Sequence, residues 1–506
     1  MSWARRHRFD LAGFLAALVY GAPSLRYLYG PDQAMFHYVA REWLAGRLPY
    51  RDVFDVKPPG VFVLEAVLLA CFGESQVVLR VVSWLAVVGT GAMAAAAWQT
   101  REERRPGALG LGAFLASAWH FGAFDFYHSA QTELFQSFFL IAGLLAARRT
   151  RPGLAGVLLG VAVLFKLTAV VPAALIGLVC FGRRPKELAK LVVGGATPLA
   201  LFVASYALVD LLGEGGALES LAHYVELVAH YGTSAKPSLG ARLSTFWLEN
   251  VAWLLVALAT TGIGWRERST ADRRQVLLGA TLFVGSALAV LSQGKLSVYQ
   301  WDVTSGFLVL WLLAALRPLP TRAVWGTAIV LAALPLVRPG AFYGAHVRTV
   351  LTGGAVESAM VHPDFLYAYE DQRRMAEAFE ARGLRPGDAL HVRGYEPTVY
   401  VLTGARSPAR FFENHLHSWW VRDVEALEAA KHDHYARLAD AAPRFFATRP
   451  ELPVDVELLE AAGYEPFAEV GRFTLWERVR ADAPAPRWPE GWWREPERRA
   501  RERAEH

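Results

Sequence analysis

Cysteine is almost missing from this chain. Its 506 residues include two, Cys71 and Cys180, both inside apolar runs. That excludes a disulfide framework and a cysteine-built metal site. Charge is also scarce: Asp, Glu, Lys and Arg make up 20% of the chain against 54% hydrophobic residues, and mean hydropathy is +0.23. The scarcity is uneven, with 50 charged residues spread over the first 340 positions and 49 crowded into the last 166. A soluble protein carries roughly a quarter of its residues as charges throughout, so a string of soluble domains is excluded for the first two-thirds. Lysine is rarer still, with 7 beside 45 arginines. The chain also lacks an H-x-x-x-H zinc pattern, a Walker lysine loop, a GxGxxG fingerprint, a G-x-S-x-G elbow and any repeat of solenoid length.

What is present is a series of apolar stretches of near-spanning length, at 10–28, 77–98, 108–124, 132–147, 190–212, 248–264, 276–292, 303–316 and 323–338. The basic start of the chain and the first stretch are not followed by an A-x-A-like cleavage site, so an uncleaved first helix is expected. The net charge of +5 divides into +10 over residues 1–340 and −5 beyond. Its arginines fall in clusters between apolar stretches, as membrane topology requires, and not in a nucleic-acid patch. Placing Arg101/Arg104/Arg105, Arg148/Arg149/Arg151, Arg183/Arg184/Lys186/Lys190 and Arg266/Arg268/Arg273/Arg274 in the cytoplasm with the N-terminus satisfies the positive-inside rule. Residues 153–181, interrupted by Lys166 and Pro172, must then be a hairpin of two short helices with Lys166 near its tip. The apolar run 60–72 is too short to cross and must be interfacial or re-entrant. The outward loops are 29–59, 123–131, 213–247 and 292–302, and everything after about 340 is outside.

The expected fold class is a polytopic α-helical membrane protein with a small C-terminal exported α/β domain. About nine full spans, a short hairpin and an interfacial helix make up residues 1–340. The exported domain covers 345–480, with strands in DALHVRG, RFFATRP and GRFTLWERV and helices over 366–382 and 421–441. The tail 481–506, rich in Pro, Trp, Arg and Glu, has no period and is expected to be disordered.

The polar residues that matter lie in the outward loops. In YGPDQAMFHYVAREWLAGRLPYRDVFDVKPPGVF, Gly30-Pro31 starts a helix. Met35, Val39 and Trp43 form its apolar face, and Gln33, His37 and Arg41 another, as in a helix lying on the outer surface. Asp32 sits at its start. Asp55-Val56-Lys57-Pro58-Pro59 holds a carboxylate and an ammonium on backbone restricted by two prolines, a pairing suited to a phosphate and a hydroxyl-rich ligand. A local ion pair of little energetic consequence explains the same residues. In a chain whose default cation is Arg, Lys57, Lys166 and Lys295 all map near the outer face, where a compact point charge suits a phosphate. Lys166 lies at hydrophobic depth, where charge is expensive and points to function; snorkelling or a structural pair is the bland alternative. Asp125, His128 and Glu133 belong to the second outward loop, although a carboxylate at a helix start, as at Glu133, is favoured by the helix dipole in any case. His223-Tyr224 and His230-Tyr231 recur seven apart, as a sugar pocket or an amphipathic helix would have them.

Asp32-Gln33 through Arg41, Arg51-Asp52 and Asp55-Val56-Lys57-Pro58-Pro59 resemble the first outer loop of bacterial GT-C glycosyltransferases. These include protein O-mannosyltransferases, aminoarabinose transferases and Rgt-type galacturonosyltransferases. The resemblance continues at Thr132-Glu133, at Gly153–Pro172 with Phe165-Lys166, at Gln293-Gly294-Lys295 with Tyr299, and from Gly394-Tyr395-Glu396-Pro397 to Tyr400-Val401-Leu402-Thr403-Gly404-Ala405-Arg406. The chain departs from the family where many members carry an Asp-Glu pair and Gln33 stands here. Its D-x-K spacing also differs by one residue from the aminoarabinose-transferase type.

The resemblance implies transfer of a sugar from a polyprenyl-phosphate donor to a cell-envelope acceptor, lipid, polysaccharide or protein. The reaction would run, with inversion, on the outer face of the bacterial cytoplasmic membrane. Asp32 would be the general base and Glu133 the second acid. Lys57, Arg51, Lys166 and Lys295 would meet the donor phosphate, whose charge grows in the transition state. Asp55, His37, Asp125 and Tyr299 would contact substrate. No cofactor is required, although some members of the superfamily use a divalent ion, and no nucleic acid is involved. A transporter or flippase of lipid-linked saccharides is the rival reading, and a non-catalytic assembly factor a third. The transporter accounts less well for acids concentrated in two outward loops, and repeated halves with matching broken helices are not seen.

Overall fold

A computed structural model describes residues 3–99, 105–213, 215–233, 239–263, 265–293, 297–362, 367–412, 425–449 and 453–487. The helices run α1 (Trp3–Gly21), α2 (Pro31–Leu44), α3 (Gly60–Phe72), α4 (Gln76–Trp98), α5 (Ala108–Ala123), α6 (Thr132–Arg148), α7 (Pro152–Phe165) and α8 (Val170–Phe181). They continue as α9 (Pro185–Leu211), α10 (Ala217–Thr233), α11 (Leu239–Gly262), α12 (Thr270–Gln293), α13 (Ser305–Ala315), α14 (Thr321–Val337) and α15 (Phe342–Leu351). Each expected apolar stretch is a helix. Among the described residues α4, α9, α12 and the segment Val298–Ala315 are long and apolar enough to cross a membrane unaided. α14 and α15 together qualify as a pair bent by 80°.

The chain divides into two compact units. The first comprises Met1–Leu28, Lys57–Leu208 and Lys236–Ala359. Within it α5 packs on α1 and α4, α6 on α4 and α7, and α13 on α4, α5 and α12. α13 is apolar all round and buried all round, as expected of a helix surrounded by other helices. α9 is the opposite: Val192, Val193, Leu201 and Val203 are exposed along it, a surface made for lipid. Close approach is arranged by small residues. A Cβ on Gly156 would strike the Leu191 carbonyl, and one on Gly160 the Gly195 carbonyl, so α7 and α9 meet backbone to backbone.

The hairpin forms as expected. α7 ends at Phe165, Lys166 is extended, and a 3-10 turn (Leu167–Ala169) leads into α8. Residues Pro152–Leu154 at the start of α7, Phe181 at the end of α8 and Arg184 just beyond it line one common cavity, so the chain returns to where it set out. The run 60–72 is the short helix α3. Its first residue, Gly60, lies so close to the Leu164 carbonyl that an added Cβ would sit 2.8 Å from it. α15 was not anticipated; Tyr343 donates to the Tyr20 carbonyl, and His346 Nε2 lies 2.9 Å from that of Pro23.

The second unit comprises Tyr29–Val56, Val209–Ala235 and Met360–His506. Its C-terminal part holds strands β1 (Val361–His362), β2 (Tyr367–Ala368), β3 (Leu390–Val392), β4 (Phe445–Thr448), β5 (Tyr464–Val470) and β6 (Phe473–Arg478). Helices α16 (Tyr369–Ala381), α17 (Pro397–Thr403), α18 (Glu425–Ala441) and α19 (Pro453–Ala461) lie between them. The main sheet has the order β3-β4-β6-β5, parallel between β3 and β4 and antiparallel elsewhere. Leu438, Phe446, Leu459, Tyr464 and Trp476 form its core, and Trp476 Nε1 donates to Thr448 Oγ1 at 2.9 Å. The three expected strands are β3, β4 and β6, and α16 and α18 fall where helices were expected. Residues 488–506, most of the expected tail, lie outside the described residues.

α2 begins at the expected Gly30-Pro31, but both its faces are buried from Pro31 to Ala40, where a surface-lying helix was expected. Its polar positions have protein partners in place of water. Gln33 Oε1 accepts from Gly30 N at 3.0 Å, and Arg41 donates to the carbonyls of Tyr400 and Ala405 at 3.0 and 2.7 Å. Ser407 N donates to Tyr38 Oη at 2.8 Å.

Candidate active-site residues

In the first unit the candidates gather at the start of α6. Glu133, buried in the first turn, accepts from Thr132 Oγ1 at 2.8 Å and is paired with Lys166 Nζ. The break between α7 and α8 is what makes this possible, because it places a lysine at a point where no helix continues. Lys166 Nζ also lies 5.7 Å from the centre of the Tyr299 ring, and Lys57 Nζ lies 4.9 Å from the same ring. The His128 ring stacks on Tyr299 at 6.0 Å. Asp125 Oδ1 caps the loop, accepting from the backbone of Tyr127 and His128 at 2.9 and 2.8 Å and lying 2.9 Å from His128 Nδ1. The structure thus brings together Lys57, Asp125, Glu133, Lys166 and Tyr299. Lys295 lies outside the described residues.

Two lysines beside one aromatic ring are held by its quadrupole, each by about 0.5–2 kcal/mol. Glu133 offsets one of the two positive charges. The cluster can therefore receive an anion without stranding a bare pair of cations beforehand.

Sequence reasoning missed the residue that ties these loops down. Arg80, buried within α4, donates to the carbonyls of Tyr27, Leu28 and Phe126 and to Ser129 Oγ, at 3.3, 2.5, 3.3 and 3.1 Å. A lone arginine inside an otherwise apolar span was the available signal. His120 and Asp302, both buried, lie 3.0 Å apart and were missed as well. No set of three or more His, Cys, Asp or Glu side chains among the described residues is arranged to hold a metal ion.

The second unit holds the remaining candidates. Asp32 is buried in the first turn of α2, and its Oδ1 accepts a hydrogen bond from the Tyr395 hydroxyl. Tyr395 occupies the turn between β3 and α17. Its neighbour Glu396 is buried, accepts from Gln372 and Arg449, and has Arg472 3.5 Å away. Burial pushes the Glu396 carboxyl up to about 7 against the pull of the two arginines. His37 Nδ1 is 3.0 Å from Tyr29 Oη, and the Tyr29 carbonyl accepts from Tyr367 at 2.7 Å. Arg51 pairs with its neighbour Asp52 at 2.9 Å, a local partnership. Asp55 is fully buried and acts on Tyr224, whose hydroxyl is pushed up by burial and by that carboxylate. The Tyr224 ring in turn lies 4.1 Å from that of Tyr50, tilted by 34°. His223 Nδ1 lies 3.3 Å from Arg410 Nη1, and the side chains of His230 and Tyr231 are outside the description.

Residues 56–294 match the sequence profile of Glycosyltransferase family 87. No curated protein matches the chain by sequence. Among solved structures the chain resembles ArnT from Cupriavidus metallidurans bound to undecaprenyl phosphate, at 15% identity and a TM-score of 0.57, covering 94% of this chain and 98% of that one. The apo form of the same protein gives 16% identity and a TM-score of 0.58 over the same shares. The profile supports glycosyltransferase activity, and the ArnT likeness shows the fold, that of a helical membrane protein of the GT-C type.

Proposed function

We propose that the protein moves a sugar from a polyprenyl-phosphate carrier to an acceptor hydroxyl of the cell envelope on the outer face of the cytoplasmic membrane. The observation that carries the donor class is the convergence of Lys57 and Lys166 on Tyr299 beside buried Glu133. The undecaprenyl phosphate bound by ArnT supports the same class. In the reaction the acceptor oxygen bonds to the anomeric carbon while the bond from that carbon to the phosphate oxygen breaks. The acceptor proton goes to Asp32, and the bonding electrons leave with the lipid phosphate. One displacement inverts the anomeric centre. Lys57 and Lys166, with Lys295, stabilise the growing phosphate charge, a contribution larger in the transition state than in the ground state. Glu133 and Asp125 orient the groups around it, Asp55 and His37 contact sugar or acceptor hydroxyls, and Arg51 supports the phosphate end. No metal or cofactor is called on.

The test is transfer from radiolabelled polyprenyl-phosphate sugars by purified full-length protein, with Asp32→Asn and Lys57→Ala beside the wild type. Wild type should yield a labelled glycoside. Asp32→Asn should lower turnover by about 10²–10⁴, the usual worth of a general base, and Lys57→Ala by about 10²–10³. Full turnover in Asp32→Asn would remove the base assignment, and movement of lipid-linked sugar with no new glycosidic bond would favour a transporter.

A further inference from the structure

The first unit carries a cavity of about 540 Å³ at the end of the α7–α8 hairpin away from Lys166, lined by residues 150–154, 181, 184, 187 and 190. It lies where the two ends of the α7–α8 hairpin meet the start of α9. Its charges are Arg151, Arg184 and Lys190 against the single carboxylate of Glu187, which pairs with Lys190 at 3.1 Å. The first turn of α7 also faces it. The amides of Gly153 and Leu154 precede the first residue whose N–H is bonded within the helix, Ala155 to the Arg151 carbonyl at 2.9 Å. Immediately beyond the cavity the helices become apolar and exposed, through Leu154 and Val157 on α7, Leu178 on α8 and Val193 on α9. A surplus of cations bordering a lipid-facing hydrocarbon surface matches a lipid with an anionic headgroup, and at the end of the hairpin away from Lys166 a membrane phospholipid fits it in place of the donor carrier.

We infer that this cavity is a binding site for an anionic phospholipid, its phosphate held by Arg151, Arg184 and Lys190 and its acyl chains lying along α7 and α9. Gly153 allows a clean test. It is helical and lines the cavity, and a Cβ added there meets nothing within 4 Å, so a larger side chain can be introduced there without a clash at the backbone.

Full-length protein in detergent is titrated with phosphatidylglycerol or with phosphatidylcholine of the same chains, and bound lipids are counted by native mass spectrometry. Wild type should retain one phosphatidylglycerol with at least ten-fold preference over phosphatidylcholine. Arg151→Ala combined with Arg184→Ala should weaken it about 25-fold, five-fold per cation near a membrane surface. Gly153→Leu should weaken it at least ten-fold with thermal stability unchanged. Equal retention of the two lipids by wild type, or retention of the preference in both variants, overturns the inference. So does full displacement of the lipid by millimolar inorganic phosphate, which would make the cavity a site for free anions.

Discussion

Tyr395 reaches Asp32 from a position 363 residues further along the chain, and that separation is why no local pattern announced it. The acids and lysines themselves were legible, because a chain with 7 lysines among 52 cations has few reasons to use one. Their partners were not: the pairing of Lys166 with Glu133 and the sharing of Tyr299 by two ammonium groups depend on how distant segments meet. A hydrogen bond to a charged acceptor contributes about 1.5–3 kcal/mol. If Asp32 takes the acceptor proton, Tyr395→Phe should lower kcat roughly 10- to 100-fold and leave KM for the donor within two-fold, because the phenol orients the base and does not touch the carrier. Steady-state transfer assays on this variant beside Asp32→Asn decide the point. Unchanged kcat would mean that the contact is broken during turnover.

At the scale of elements, position was easier to read than environment. Hydrophobic length is a local property, so every apolar stretch became helical, although α1 and α11 begin seven and nine residues before their expected starts, and the Lys166 break fell where charge parity demanded it. Burial is not local. α2 has an amphipathic pattern but is covered on both faces; α17 and the turn after it supply carbonyls and a packing surface that its own sequence cannot reveal. β5, with Pro466 and an irregular register at Pro466/Ala468, lacked the alternation that marks a strand. The contact of α7 with α9 gives a prediction at this scale. Gly156→Leu has nowhere to put its side chain, since the Leu191 carbonyl and Gly195 amide occupy the space. Overpacking of this kind costs about 1–3 kcal/mol. Thermal unfolding in detergent should shift down by several degrees. Transfer should fall too, because α7 carries Lys166 at its end. Gly153→Leu, on the same helix but facing open space, is the control that should do neither.

The whole molecule joins loops from the first half of the chain to its C-terminal third, Tyr29–Val56 and Val209–Ala235 with Met360–His506. That union makes the protonation of buried groups in the C-terminal part a matter for the unit that holds Asp32. His391 and His434 are buried with their rings 5.3 Å apart. Burial, aided by Arg393, holds His391 down at about 3 and His434 well below 6.5. As pH falls below 6.5 the unfolded chain therefore takes up two protons that the native one refuses, and stability drops. Glu396 works in the other direction, raised by burial from 4.5 to about 7. Between those values the native state holds a proton the unfolded chain has lost, so its contribution fades as pH rises. Each unmatched proton is worth roughly 1.4 kcal/mol per pH unit. The two histidines outweigh the one acid until about pH 7, where the protons held by the unfolded histidines and by native Glu396 balance, which puts maximum stability near pH 7. Hydrogen exchange at the β3 and β4 amides of the full-length protein, corrected for intrinsic rates, should show greatest protection there. Glu396→Gln should steepen the rise in protection from pH 4.5 to 7. His391→Gln with His434→Gln should leave protection rising as pH falls from 7 toward 4.5. Protection in wild type that stays level from pH 5 to 8 would show that these three groups do not govern the stability of the unit.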